Sequence, residues 1–249
     1  MPLFSHVHQP FAPTRAAPIF ICSGGKNARS NVPGTRALLC LACSSRRIAR
    51  EVGIYICTGY RWCWWLRNVA LSYEMHRQFA DTVEADELYH TAGHNGQAKQ
   101  GGIKPLGRRP HRRRKKREPG RGHYDKDRPA MIAWVSRQGP IVVHAVKDFT
   151  VKTVQQAAAL AVQAGSRLYT DSASSYQALE GYVHAFVNHA RKEYARGDVH
   201  ENRAECLFSL LKPYLRVFHG IGKCNLPRSL GFFNSCATSV STMRLSRPS

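Results

Sequence analysis

The 249-residue chain carries 37 Lys and Arg against 16 Asp and Glu, a formal charge of +21, with eight cysteines spread along it. That length accommodates one core-forming domain plus a small module, and so positive a balance favours a polyanionic partner, nucleic acid before membrane. Scattered cysteines in an apolar-rich chain exclude a compact disulfide scaffold and point to reduced thiols; the start reads as neither signal peptide nor membrane span, so a cytoplasmic protein with no membrane partner is expected.

Residues 1–36 scatter Pro, Ser and Gly without a period and are expected to form a disordered or loosely attached leader. Over 40–79 the pattern changes. Ile48, Ala49 and Val52 share a helical face, Gly53 breaks the helix, and a second run after Ile54 carries Tyr60, Arg61, Trp64, Trp65 and Arg67. That pattern fits a helix-turn-helix with Arg61 and Arg67 as candidate DNA contacts. An ordinary helical hairpin with the tryptophans in its core fits the same residues. Cys40 and Cys43 make half a zinc knuckle with no second pair after it, so no structural zinc is expected.

"DTVEADELYH" (81–90) alternates around Val83, Ala85 and Leu88 as a half-buried strand does. Residues 91–129 are Gly-rich and then basic, and Arg112, Arg113, Arg114, Lys115 and Lys116 are candidate contacts to a phosphate backbone. Such a run is equally a solvated loop. Strands are then predicted at Ala130–Ser136 and Ile141–Phe149, and a helix over Thr150–Gly165 with a Thr cap. "RLYTD" reads as a strand, "SASSYQAL" as a short helix and Tyr182–His189 as a strand. A long helix is predicted over Val199–Phe218, with Pro213 suggesting a kink, and a Ser-rich tail over 234–249. This order defines an α/β layer built on one sheet.

Three acids stand out: Asp86 in the first strand, Asp171 at the end of a later one, and Glu205 in the long helix, with Lys212 nearly two turns further on. Carboxylates from three segments make a cage for two divalent metals, which assist in-line attack on a phosphodiester. Each has a structural alternative. Asp171 or Ser172 could cap the short helix; Glu84 or Glu87 could be the true neighbour of the site; Glu201 rivals Glu205. Asn202 could add an amide oxygen, and His200 could brace the helix.

"VEADELY", "LYTDSASSY" and "VHENRAECLFSLLKPYLRVFHGIG" closely resemble the catalytic blocks of bacterial insertion-sequence transposases of the ISXO-like DDE group, over roughly residues 44–233. The H-x-N-x-x-E motif of His200, Asn202 and Glu205, followed by Lys212, is the most specific part. The resemblance implies a ribonuclease H-like mixed sheet flanked by helices, here a catalytic domain at 80–233 preceded by a small helix-turn-helix. It implies Asp86, Asp171 and Glu205 as catalytic acids and ligands to two Mg²⁺ or Mn²⁺, with Lys212 touching DNA. The implied partners are transposon-end and target DNA and further copies of the chain. A single CxxC in place of a zinc ribbon, and the Ser-rich end, suggest a truncated or frameshifted copy. A non-catalytic DNA-binding remnant and a nuclease that does not join strands are the rival readings.

Overall fold

The computed structural model describes residues 32–74, 77–91, 124, 128–188, 191, 193, 195–218 and 221–245. The basic residues 112–116 lie outside them. The chain divides into two compact units, Met1–Leu66 and Arg67–Ser249, and the boundary falls within one helix.

The first unit holds α1 (Val32–Cys40), α2 (Ser45–Val52) and the start of α3 (Ile56–Glu74). Helix α1 begins inside the expected leader because Thr35 and Leu39 have a buried site to fill. Ser44 caps α2 by accepting the Arg47 N–H at 3.3 Å. The helix ends at Gly53, whose φ of 70° is open to glycine at little cost. The turn brings α3 against α2 so closely that a Cβ on Gly59 would lie 2.9 Å from that of Ala49. The two helices expected around Gly53 are therefore present, but Trp64 and Trp65 are exposed, not core.

The second unit is built on five strands: β1 (Val83–Tyr89), β2 (Ala130–Ser136), β3 (Ile141–Val146), β4 (Arg167–Asp171) and β5 (Val183–Val187), in the spatial order β3-β2-β1-β4-β5. The β1-β2-β3 pairs are antiparallel and β1-β4-β5 parallel. This is the mixed, helix-flanked, ribonuclease H-like sheet expected. One face packs Val83, Ala85, Ile132, Trp134 and Leu168 against α4 (Val151–Ala161) and against Tyr176 of α5 (Ser174–Gln177). Thr150 caps α4 as expected, accepting the Thr153 N–H at 3.4 Å, but the helix stops at Ala161, short of Gly165. Across β1 and β2 lies α6 (Asn202–Val217), which continues through Pro213.

The tail expected from residue 234 is instead most of α7 (Leu226–Leu245). Its Gly, Asn, Ser and Thr residues weaken the helical signal, yet Leu226, Leu230 and Phe233 are buried. Small residues permit close approach: a Cβ on Gly231 would stand 2.7 Å from the Leu71 Cα. Helix α7 also closes the β3 edge with side chains. Asn234 accepts the Val143 N–H at 3.0 Å and donates to its carbonyl at 3.3 Å. One turn on, the Thr238 hydroxyl accepts the Ile141 N–H at 3.2 Å and donates to its carbonyl at 3.3 Å. Backbone groups that would invite a foreign strand are thereby satisfied. Among the described residues no helix is long and apolar enough to cross a membrane.

Candidate active site

Strands β1 and β4 pair at Val83↔Leu168 and Glu84↔Tyr169. Carried two residues further, the same register sets Asp86 level with Asp171, at the end of β4 and beyond the last paired residues. A sheet that opens at the carboxyl ends of parallel strands offers a crevice there. Asp86 Oδ1 accepts the Glu87 N–H at 2.7 Å, and Asp171 Oδ1 accepts the Ala173 N–H at 3.0 Å. The second bond is a local turn two residues long; α5 itself takes no side-chain cap.

Helix α6 brings Glu205 and Lys212 to the same place. Burial raises the Asp86 carboxyl to about 7, and the charges of Asp171 and Glu205 add to the rise; the Glu87 N–H and Lys212 oppose it. Glu201, the buried residue before α6, is raised to about 9, first by burial and then by Asp86, Asp171, Glu205 and Glu87. Five acids thus share one field. Glu205, Lys212 and Asn202 are exposed, while Asp171 is half-buried.

Two of the alternatives weighed from sequence have different places. Glu84 is completely buried and accepts the Arg137 Nε–H at 3.0 Å and the backbone N–H of Arg203 at 2.8 Å. The N-terminus of α6 thus takes its acceptor from β1, since the Glu201 side chain makes no cap. Arg137 also binds Asp198 Oδ1 at 2.9 Å, lies 4.8 Å over the Tyr169 ring, and approaches His200 Nε2 at 3.1 Å. A guanidinium only donates, so Nε2 accepts and the His200 proton sits on Nδ1, 3.5 Å from Glu84. His200 thus joins Arg137 and Glu84 ahead of α6. Arg137 escaped sequence reading; its one signal was a lone cation closing the apolar strand "AMIAWVS".

Among the DNA-contact candidates, Arg61 is exposed on α3. The Arg67 guanidinium instead lies 4.7 Å over the Phe218 ring, with its Nε buried.

Among the described residues no three His, Cys, Asp or Glu side chains stand ready to hold a metal ion. In chemistry the donor set still fits a hard divalent cation: carboxylate oxygens in mutual repulsion, which such an ion would relieve.

A sheet in this order, with acids where β1 and β4 part and on the helix across them, defines a ribonuclease H-like protein. Residues 78–230 match the family of the ISXO2-like transposase domain, and the chain belongs to that family. It is 30% identical over 155 residues to an uncharacterised protein in transposable element ISH50 of Halobacterium salinarum, covering 61% of this chain and 50% of that one. The chain therefore spans about half the length of the curated relative it matches. Among solved structures, the Mos1 mariner paired-end complex with Mn is 13% identical, with 86% of this chain and 81% of that one covered and a TM-score of 0.25. A pre-cleavage Mos1 transpososome has a TM-score of 0.26 at 13% identity, again over 86% and 81% of the two chains. Likenesses that slight carry no argument about this chain.

Proposed function

We propose that the chain is a DDE transposase that cuts and joins DNA strands at the ends of an insertion sequence, with Asp86, Asp171 and Glu205 as its acids. The observation that carries this reading is the coupling of Asp86 to Asp171, Glu205 and Lys212, from β1, β4 and α6, at the open end of the sheet. Asp86, Asp171 and Glu205 would hold Mg²⁺ or Mn²⁺, with Asn202 as an accessory oxygen donor. Bound there, such ions supply Lewis-acid chemistry: they activate the attacking hydroxyl and stabilise the leaving oxygen. Lys212 pairs with a DNA phosphate beside the acids. Arg137, Glu84 and His200 keep α6, and with it Glu205, against β1. The α2–α3 pair, with Arg61 outward, and the basic residues 112–116 grip the DNA ends, and joining two ends requires more than one copy of the chain.

The reading of a non-catalytic DNA-binding remnant draws on no three such side chains among the described residues standing ready to hold an ion. The test is incubation of the purified chain with a duplex carrying the ends of its element, with Mn²⁺ or Mg²⁺ or with EDTA. Metal-dependent nicking that Asp171→Asn abolishes supports the transposase; nicking that survives in Asp171→Asn removes this site from the chemistry. A wild-type chain that binds the ends without cutting is the remnant, and cutting without joining marks a nuclease.

A further inference from the structure

Helix α6 has an inner and an outer side. Ala204, Leu207, Phe208, Leu211, Tyr214 and Leu215 are buried. The outer side splits lengthwise, because residues three and four apart stack along a helix. One stripe is Glu205, Ser209, Lys212 and Arg216, all exposed. The stripe beside it is Cys206, Leu210, Pro213 and Val217, also exposed, with Leu210 at 60% and Val217 at 37%.

The two cations of the first stripe differ from those around them. Arg67 lies 4.7 Å over the Phe218 ring, Arg228 donates to Asn68 Oδ1 at 2.8 Å, Lys223 donates to the Tyr124 carbonyl at 3.1 Å, and Arg203 donates to the Arg137 carbonyl. Each of those holds one element to another. Lys212 and Arg216 have no hydrogen bond or ion pair among the described residues. Arg216 stands in the last turn, where the helix dipole favours a cation; Lys212 stands a turn earlier, where that effect has faded. Unpaired cations with a row of aliphatic carbon beside them complement a nucleic-acid backbone. Phosphates suit the cations, and the C–H faces of the sugars suit Leu210 and Val217. The chain's charge of +21 favours that partner over another protein.

We propose that the outer side of α6 is a track for one DNA strand leading away from Glu205: Lys212 and Arg216 each hold a phosphate, and Leu210 and Val217 pack on the sugars beside them. Arg216 is the new contact, and its planar fork can meet two oxygens of one phosphate. Along the axis Lys212 stands about 10 Å beyond Glu205, and Arg216 about 6 Å further. Phosphates of one strand advance about 3.4 Å each along a duplex. A strand laid on α6 therefore brings to Arg216 a phosphate one or two places past the one on Lys212, and the acids meet that strand at one end of the helix only.

The track rests on the reading that the chain binds the ends of its element, and not on cutting. Binding of the full-length chain to an end-bearing duplex is measured by fluorescence anisotropy over a range of KCl, with Ca²⁺ present to occupy carboxylate oxygens. Each lost phosphate contact flattens the slope of log affinity against log salt by about 0.9. Lys212→Ala and Arg216→Ala are each expected to show that loss, and Arg216→Lys to keep the wild-type slope. Leu210→Ala is expected to weaken binding by about fivefold at every salt concentration with the slope kept, since apolar contact is lost without charge. These side chains are exposed, so the fold survives their loss. Lys152→Ala removes an exposed cation from α4, on the other face of the sheet, and controls for bulk charge. An unchanged slope in Arg216→Ala, an equal flattening in Lys152→Ala, or wild-type affinity in Leu210→Ala overturns the proposal. A chain that shows the expected slopes but never cuts keeps the track and loses the transposase reading. One that cuts, while Arg216→Ala binds with the wild-type slope, loses only the track.

Discussion

Glu84→Gln is the sharpest probe of how the fold holds α6 against the sheet. The carboxylate has no exposure and meets Arg137 Nε at 3.0 Å and the Arg203 N–H at 2.8 Å. Glutamine preserves the volume and one oxygen, but sets an amide NH₂ against one of two donors and leaves the guanidinium facing a neutral group. Loss of one partner from a fully buried pair costs about 3–5 kcal/mol. Arg137 is 18% exposed and keeps Asp198 at 2.9 Å, so the loss falls below that range. One charge-assisted hydrogen bond, worth roughly 1.5–3 kcal/mol, sets the expected loss at about 2 kcal/mol. For a domain of this size that lowers Tm by roughly 4–8 °C, and at an m-value of about 2 kcal/mol/M it moves the urea midpoint by about 1 M. The assay is urea unfolding followed by tryptophan fluorescence, with Trp134 as a completely buried reporter. An unchanged slope with the lower midpoint places the effect in stability. Strand cleavage should fall as well, because the α6 N-terminus loses its acceptor. A loss below about 0.5 kcal/mol refutes the reasoning, since an idle surface carboxylate behaves that way.

Gly231→Ala puts a methyl 2.7 Å from the Leu71 Cα, a backbone atom that cannot step aside, and α7 must shift. A loss of about 1–3 kcal/mol is expected, and thermal unfolding at wild-type Tm would contradict the close packing of α3 on α7. Asp86, raised from 3.8 to about 7 by burial and by Asp171 and Glu205, binds its proton more tightly folded than unfolded. Its stabilising contribution is therefore fully present below about pH 4 and lost as pH climbs through 7; urea midpoints of the metal-free chain should show that fall, and Asp86→Asn should make it shallower, leaving the fall that Glu201, raised to about 9, adds.

The order of strands and helices in the second unit was legible because each element carries its own period. "AMIAWVS" and "RLYTD" are strands residue for residue, and Thr150 caps its helix as the sequence suggests. What stayed hidden depends on partners distant in the chain. Helix α7 reads as a polar tail because Asn234 and Thr238 look like solvent residues; they are in fact the backbone partners of Val143 and Ile141, more than ninety positions away. Glu84 and Asp86 are equally plain as acids of one strand. Only the positions of Arg137, Arg203 and Asp171 in space separate a structural carboxylate from a candidate ligand.

That separation is itself informative. Glu84 and Asp86 are two residues apart on β1 and so lie on the same face of the sheet. The first is given a guanidinium and a helix N–H. The second receives its neighbour's N–H and faces Asp171 and Glu205, so it is left near 7 with its charge poorly met. A fold that only balanced charge would have treated both alike, or put an apolar residue at the second position at no cost in packing. Sites where local rules are broken without structural return are where function is expected. Here the breach falls where β1 and β4 part, in the field of Lys212. Mn²⁺ or Mg²⁺ should therefore stabilise the folded chain, by an amount set by concentration over dissociation constant. Asp86→Asn should remove the effect, while Glu84→Gln lowers stability both with and without the ion and keeps a metal-induced rise in Tm. If Glu84→Gln instead abolishes the metal-induced rise in Tm and Asp86→Asn keeps it, the two carboxylates have been assigned the wrong way round.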